Sequence, residues 1–128
     1  MINLTQHQAT PEQLAAGVFD LIPEERARLC TLLTFDDLPS VREMHARATE
    51  IGDIASRAAF IAWGYDSCRR EALIGGAPFF MRALERALAA RDIACLYSFS
   101  RRESVEELQA DGSVRKINVF RHAGFVPA

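Results

Sequence analysis

The stretch from Glu71 to Phe99 constrains the fold more than any other part of the chain. Glu71-Ala-Leu-Ile74 is a short apolar run and Gly75-Gly76-Ala77-Pro78 a turn. The segment from Phe79 to Ala90 then sets Phe80, Leu84, Ala87 and Leu88 on one helical side, and Ile93 to Phe99 is a second apolar run. The spacing predicts strand, glycine turn, helix with Pro78 at N1, and buried strand. Joints this short between a strand, a helix and a strand imply a right-handed parallel crossover. The chain is therefore expected to build around a parallel sheet.

The rest of the chain supplies elements that fit such a sheet. Met1 to Leu4 is a short apolar start that gives way at once to Thr5-Gln6-His7-Gln8, so a first strand should end in polar residues. Thr10-Pro11-Glu12-Gln13 has the pattern of a capping box, with Thr10 as N-cap and Gln13 at N3. The helix it opens has to be brief, because Gly17 follows. Gly17 to Leu21 is read as a second short strand. Pro23 opens the next helix, with Ala27, Leu29, Leu32 and Leu33 for its buried side. Ser40-Val41-Arg42-Glu43 repeats the capping-box pattern. From there Val41, Met44, Ala48, Ile51, Ala55, Ala58 and Ala62 recur at steps of three and four, marking one long amphipathic helix that ends at Trp63-Gly64. Its many alanines favour close packing against a sheet or helix. Ser100 to Leu108 and Val114 to His122, joined around Asp111-Gly112, predict a closing antiparallel hairpin. The expected fold is α/β, a Rossmann-like and mostly parallel sheet with flanking helices and a C-terminal antiparallel hairpin, in a single domain over residues 1–128. No repeat or linker interrupts it.

Charge and composition narrow the partners. With 128 residues, 49% hydrophobic residues and a net charge of −2, the chain suits one ordinary globular domain. It exerts no global attraction on long nucleic acid or anionic membrane. Fourteen of its 15 basic residues are Arg, the better fork for phosphate or carboxylate, although a GC-rich coding sequence also produces that bias. Cys30, Cys68 and Cys95 are widely spaced without a C-x-x-C, as expected of reduced thiols, with Cys95 in the core. No signal peptide is visible and no apolar run approaches the ~20 residues of a membrane helix, so the expected location is the cytoplasm.

In open α/β sheets ligands bind beyond the carboxyl ends of the parallel strands. Here those ends are Thr5, Gln6 and His7; Gly75 and Gly76; and Ser98 through Ser100, Arg101 and Arg102, where the fourth strand is expected to stop. The two glycines permit close backbone approach before a helix N-terminus, which suits an anion, but Pro78 removes one amide from that set and a plain tight turn is the commoner reason for such glycines. Arg101 or Arg102 could grip a phosphate through parallel hydrogen bonds, or simply pair with Glu103, Glu106 or Glu107. His7 and His122 end predicted strands and are the acid–base candidates, whereas His45 should be an exposed helical residue. No G-x-G-x-x-G, Walker lysine, nucleophile elbow or metal-ligand spacing occurs, so no cofactor or metal is expected. Phe79, Phe80, Tyr97, Phe99, Phe120 and Phe125 are expected mainly in the core.

Three stretches carry a resemblance: Asn3-Leu-Thr-Gln-His7 with Ala9-Thr10 and Gln13; Ile74-Gly-Gly-Ala-Pro-Phe-Phe-Met81; and Tyr97-Ser-Phe-Ser-Arg-Arg-Glu-Ser-Val-Glu106, continuing through Asp111-Gly-Ser-Val to Val119-Phe-Arg-His-Ala-Gly-Phe125. Together they resemble a family of small bacterial and phage-borne proteins over nearly the whole chain. More distantly the layout is similar to small stand-alone CRISPR-associated proteins of CARF type, which bind cyclic oligoadenylates and in some cases cleave them. That likeness implies a homodimer and a nucleotide or cyclic-oligonucleotide ligand. The ligand would be lined by Thr5, Gln6, Gly75, Gly76, Ser98, Ser100 and Arg102, with His7 and Arg101 in any metal-independent cleavage. The alternative is a phage or mobile-element module that binds or inhibits another protein and catalyses nothing. A small hydrolase or transferase acting on a nucleoside ranks third.

Overall fold

A computed structural model describes residues 1–65 and 69–128. Cys68, one of the three expected thiols, lies outside them; Cys30 and Cys95 are free and half-buried. The elements run β1 (Ile2–Leu4), α1 (Pro11–Ala15), α2 (Pro23–Leu33), α3 (Val41–Trp63), β2 (Glu71–Ile74), α4 (Pro78–Ala89), β3 (Ala94–Leu108) and β4 (Val114–Pro127). One four-stranded sheet has the order β1-β2-β3-β4; its first two pairings are parallel and the last antiparallel. This is the α/β class with a C-terminal hairpin that the strand–helix–strand unit dictates. Among the described residues no helix is long and apolar enough to cross a membrane.

The two crossovers step the same way across the sheet, so crossovers of one hand bring their helices to one face. Ile2, Leu4, Ala72 and Ile74 occupy that face and join a core with Leu29, Leu32 and Leu33 of α2, Ile51, Ile54 and Ala55 of α3, and Phe80, Leu84 and Leu88 of α4. The second face of the sheet, carrying Asn3 and Leu73, is left to the segment around α1. The alanines Ala48, Ala55, Ala58 and Ala59 let α3 lie close to its neighbours. Gly52 serves the same end: a Cβ there would stand 2.7 Å from the Arg91 guanidinium. That group crosses from the end of α4 to Thr49 O (3.2 Å) and Asp53 Oδ1 (2.8 Å) on α3.

Local signals explain the element ends. Thr10 and Gln13 form the full capping box of α1. At α3 only half of the second box forms. Ser40 Oγ accepts from Glu43 N, but the Glu43 carboxylate is taken by Arg47. Arg47 in turn donates to Thr31, Leu32 and Thr34 carbonyls, closing the C-terminus of α2, and lies 4.5 Å above the Phe35 ring. Gly64 closes α3 at φ 67°, a left-handed geometry that suits glycine. The helical stripe is displaced from its expected position: Val41 and Ala62 are exposed, and Gly52, Ile54 and Ala59 are buried instead. Ala27 of α2 also faces solvent. Gly17 to Leu21 is no strand. Only Phe19 bridges to Ile2, and the Asp20 side chain that follows joins a polar network described below.

The largest departure concerns β3. It neither stops at residues 98–102 nor is buried. Its pairing with β2 ends at Tyr97, yet it continues to Leu108, paired with β4 alone and kinked by a register shift at Phe99/Ser100. Beyond Tyr97 the hairpin is a two-stranded ribbon projecting from the body. Phe99, Phe120, Leu108 and Val114 are all more than half exposed there, and Phe79 at the start of α4 is exposed too. Of the six aromatic residues expected in the core, only Phe80 is fully buried; Tyr97 and Phe125 are half-buried.

This packing predicts where the fold is fragile. Phe80→Ala should cost about 3–5 kcal/mol by removing a fully buried ring, whereas Leu38→Ala, at an almost fully exposed side chain, should stay within about 0.5 kcal/mol. Urea unfolding monitored by circular dichroism measures both.

Candidate functional site

The site begins with a polar residue in a strand. Asn3 is the buried polar residue of β1, 1% exposed, and it points away from the helical core. Its Nδ2 donates to His7 O (2.8 Å) and to Asp20 Oδ1 (2.6 Å). Its Oδ1 accepts from Thr5 N (3.0 Å) and from Thr5 Oγ1 (2.8 Å). A side-chain amide with every one of these partners folds Thr5-Gln6-His7 back over the end of β1. Asp20 fixes the far side by accepting from Ala9 N at 3.1 Å. Arg26 of α2 donates to Gln6 O at 2.9 Å and lies 3.6 Å from Asp20. Gln6 Nε2 reaches Thr34 Oγ1 at the end of α2, 3.0 Å away. The loop after β1 is held from beneath and from both sides.

Across the sheet this loop faces the ends of β2 and β3. Thr5, Gln6, His7 and Gln8, the α1 N-cap Thr10 and Gln13 of α1, Gly75 and Gly76 after β2, and Tyr97 and Ser98 on β3 enclose one cleft of about 480 Å³. Segments around positions 5–7, 75–76 and 98 thus meet on one rim, as the strand ends imply. Gly76 has φ 150°, and Gly75 approaches Thr5 so that an added Cβ would lie 3.6 Å from its methyl group. Gln13 ties the two sides together: its Oε1 accepts from Thr10 N and its Nε2 donates to Ser98 Oγ at 3.4 Å. Ser98 Oγ also lies 3.2 Å from His122 Nδ1, and the His122 ring packs against Phe125 with centroids 4.6 Å apart and planes tilted by 50°. Tyr97 donates to Glu85 at 2.7 Å; burial, reinforced by that carboxylate, pushes its phenol well above the ordinary range. Burial likewise pushes the Cys95 thiol up to about 11. Neither group is a nucleophile at neutral pH.

The expected site residues divide into two groups. Thr5, Gln6, His7, Gly75, Gly76 and Ser98 line the cleft; Ser100, Arg101 and Arg102 do not. They lie further along the ribbon, paired in register with His122, Arg121 and Phe120, because β3 continues where it was expected to end. The cleft lining therefore contains neither Arg nor Lys. Sequence reasoning missed Asn3, Asp20 and the contact of His122 with Ser98. An asparagine at the centre of a three-residue apolar strand was a signal for the first; the others follow from chain return and strand register. His45 is exposed, as expected. Among the described residues no three His, Cys, Asp or Glu side chains are grouped to hold a metal ion.

The Asn3 network makes a pH-dependent prediction. Asn3→Asp sets a second carboxylate at hydrogen-bond distance from Asp20, so one of the pair must have its folded-state pKa raised above its unfolded value. The penalty is absent while both are protonated and grows as pH rises through the ordinary carboxyl range near about 4. The variant should lose about 2–4 kcal/mol at pH 7, and the gap to the parent should narrow toward pH 4. Urea unfolding at several pH values measures it.

Comparison with known proteins supplies a family and no activity. No curated protein matches the chain, and no solved structure does. A family model described as "Uncharacterized protein MJ1673 family" matches residues 1–126, nearly the full length and the whole of the cleft. The chain belongs to the MJ1673 family.

Proposed function

We propose that the rim cleft binds a nucleotide ligand. The observation that carries this reading is the convergence of three strand ends on one cleft of about 480 Å³, a size within the range of small-molecule sites. Its lining is rich in neutral hydrogen-bonding groups. Glutamine amides and threonine and serine hydroxyls suit the edges of a base and a ribose. The bare backbone at Gly75-Gly76 lets a phosphate approach the main chain closely, whereas α4 adds little, since Pro78 has no amide hydrogen and Phe80 N donates to Ala77 O. With no guanidinium in the lining, phosphate recognition falls to backbone amides, and Arg101 and Arg102 have no part in it.

The finer reading follows the resemblance to CARF-type proteins. A cyclic oligonucleotide exceeds one such cleft and would be shared between two copies of the chain. If the ring is cleaved, a ligand 2′-hydroxyl held in line with its phosphate suffices, and His7 is the lining residue able to move the proton. The second reading is a protein-binding module of a phage or mobile element. The projecting ribbon, with Phe120, Leu108 and Val114 exposed, favours it.

Thermal-shift and calorimetric titration with mono-, di- and cyclic nucleotides tests the first reading. A ligand at ~100 times its Kd adds about 2.7 kcal/mol, a shift of several degrees for a domain of this size. Gly75→Val, which fills the cleft floor, should weaken binding at least tenfold, while Arg101→Ala should leave it within about twofold. Absence of any nucleotide response, or undiminished affinity in Gly75→Val, would reject the reading. Mass spectrometry of a bound cyclic ligand, with His7→Ala as the comparison, decides between binding and turnover.

A further inference from the structure

The ribbon has two unpaired edges, and their charges differ. Among the described residues, the edge of β3 that faced β2 has no partner past Tyr97, and the outer edge of β4 is unpaired along its length. Edges of this kind attract further strands unless their charges forbid it. The ribbon part of β4 carries Arg115, Lys116, Arg121 and His122 and no acid, so two copies pairing there would set cation against cation. The ribbon part of β3 reads Arg101-Arg102-Glu103-Ser104-Val105-Glu106-Glu107. About Ser104 its outer charges are opposite, with Arg101 and Arg102 on one side and Glu106 and Glu107 on the other, while Glu103 is taken by Arg121.

That reversal makes the β3 edge complementary to itself. Antiparallel pairing of two β3 edges about a two-fold axis at Ser104 sets Arg101 opposite Glu107 and Arg102 opposite Glu106 of the second copy. The same two pairs recur on the other side of the axis. Within a single chain the arginines lack this. Arg101 is in register with Arg121, a like charge, and Arg102 with Phe120, whose ring lies 6.0 Å from its guanidinium. Among the described residues neither arginine has a carboxylate partner, while Arg121 is engaged by Glu103 at 2.7 Å. A two-stranded ribbon without further support is also marginal in water, and a third and fourth strand would supply it.

We infer that the free edge of β3 is a homodimer interface, in which two ribbons join across Ser104 into a continuous four-stranded sheet held by reciprocal Arg–Glu pairs. Pairing over Ser100–Leu108 stops short of Ser98. The interface stands on the charge pattern and the unpaired edge; it does not depend on what the cleft binds.

Light scattering during size exclusion tests this on the full chain. The parent should have twice the chain mass of 14.3 kDa, and its dimer should weaken at high salt. Arg101→Glu with Arg102→Glu should weaken the dimer at least tenfold, and so should Glu106→Arg with Glu107→Arg. An equimolar mixture of the two variants should restore it, since each then meets its opposite charge. Ser104→Cys should form a disulfide-linked dimer on mild oxidation, which the parent does not. A monomeric parent, open-ended oligomers, a dimer indifferent to both reversals, or a mixture that stays monomeric would overturn the interface. A single cleft can take a mononucleotide whichever result is obtained, and the thermal-shift series reads that binding separately.

Discussion

The arrangement of the cleft depends on one buried amide. Asn3 sits in the middle of a three-residue strand whose other two side chains enter the core, and it spends both ends of its amide on the backbone and side chains that follow. Removing a polar group from water is unfavourable unless it is satisfied, and Asn3 is satisfied only when Thr5, His7 and Asp20 occupy their observed places. The buried end of β1 and the shape of the loop above it are therefore one event. Without that constraint the polar residues after β1 would be a solvated turn, and the cleft would lose one of its three walls.

The body and the ribbon obey different rules. In the body, three parallel strands and three helices share one apolar face, so each element is stabilised by several others. The ribbon past Tyr97 has only its cross-strand bonds and the side chains facing each other along it. Its surface is correspondingly mixed, with exposed aromatics beside paired charges. Ser98 marks the junction: on one side it meets Gln13 from α1, on the other His122 from β4. A change in the direction or support of the ribbon would therefore be felt at the cleft wall through Ser98.

Much of the body was legible along the chain because its signals are local. Pro78 before a stripe of Phe80, Leu84 and Leu88 marks α4, the Thr10-to-Gln13 spacing marks α1, and Gly64 marks the end of α3. The errors fall where a local pattern has no unique consequence. Alternation from Ile93 to Phe99 is the same for a strand with two neighbours as for one with a single neighbour, so it could not show that the pairing with β2 ends at Tyr97. The expected positions of Arg101 and Arg102 failed with it. Phe99 and Phe120 were assigned to the core because aromatic residues usually need cover, and no sequence signal states that a hairpin extends past the layer that would provide it.

What the sequence determined by itself was the class of fold and the chemistry available at each strand end: an apolar–glycine–helix–apolar unit can close only as a parallel crossover, and its ends are polar or glycine. The tertiary structure decided which of those ends meet. It joined Thr5–His7, Gly75–Gly76 and Ser98 through the common register of three strands, and it carried Arg101 and Arg102 away because β3 outruns its neighbour. Strand length relative to a partner distant in the chain is a property of pairing, and pairing is settled only when the whole sheet forms.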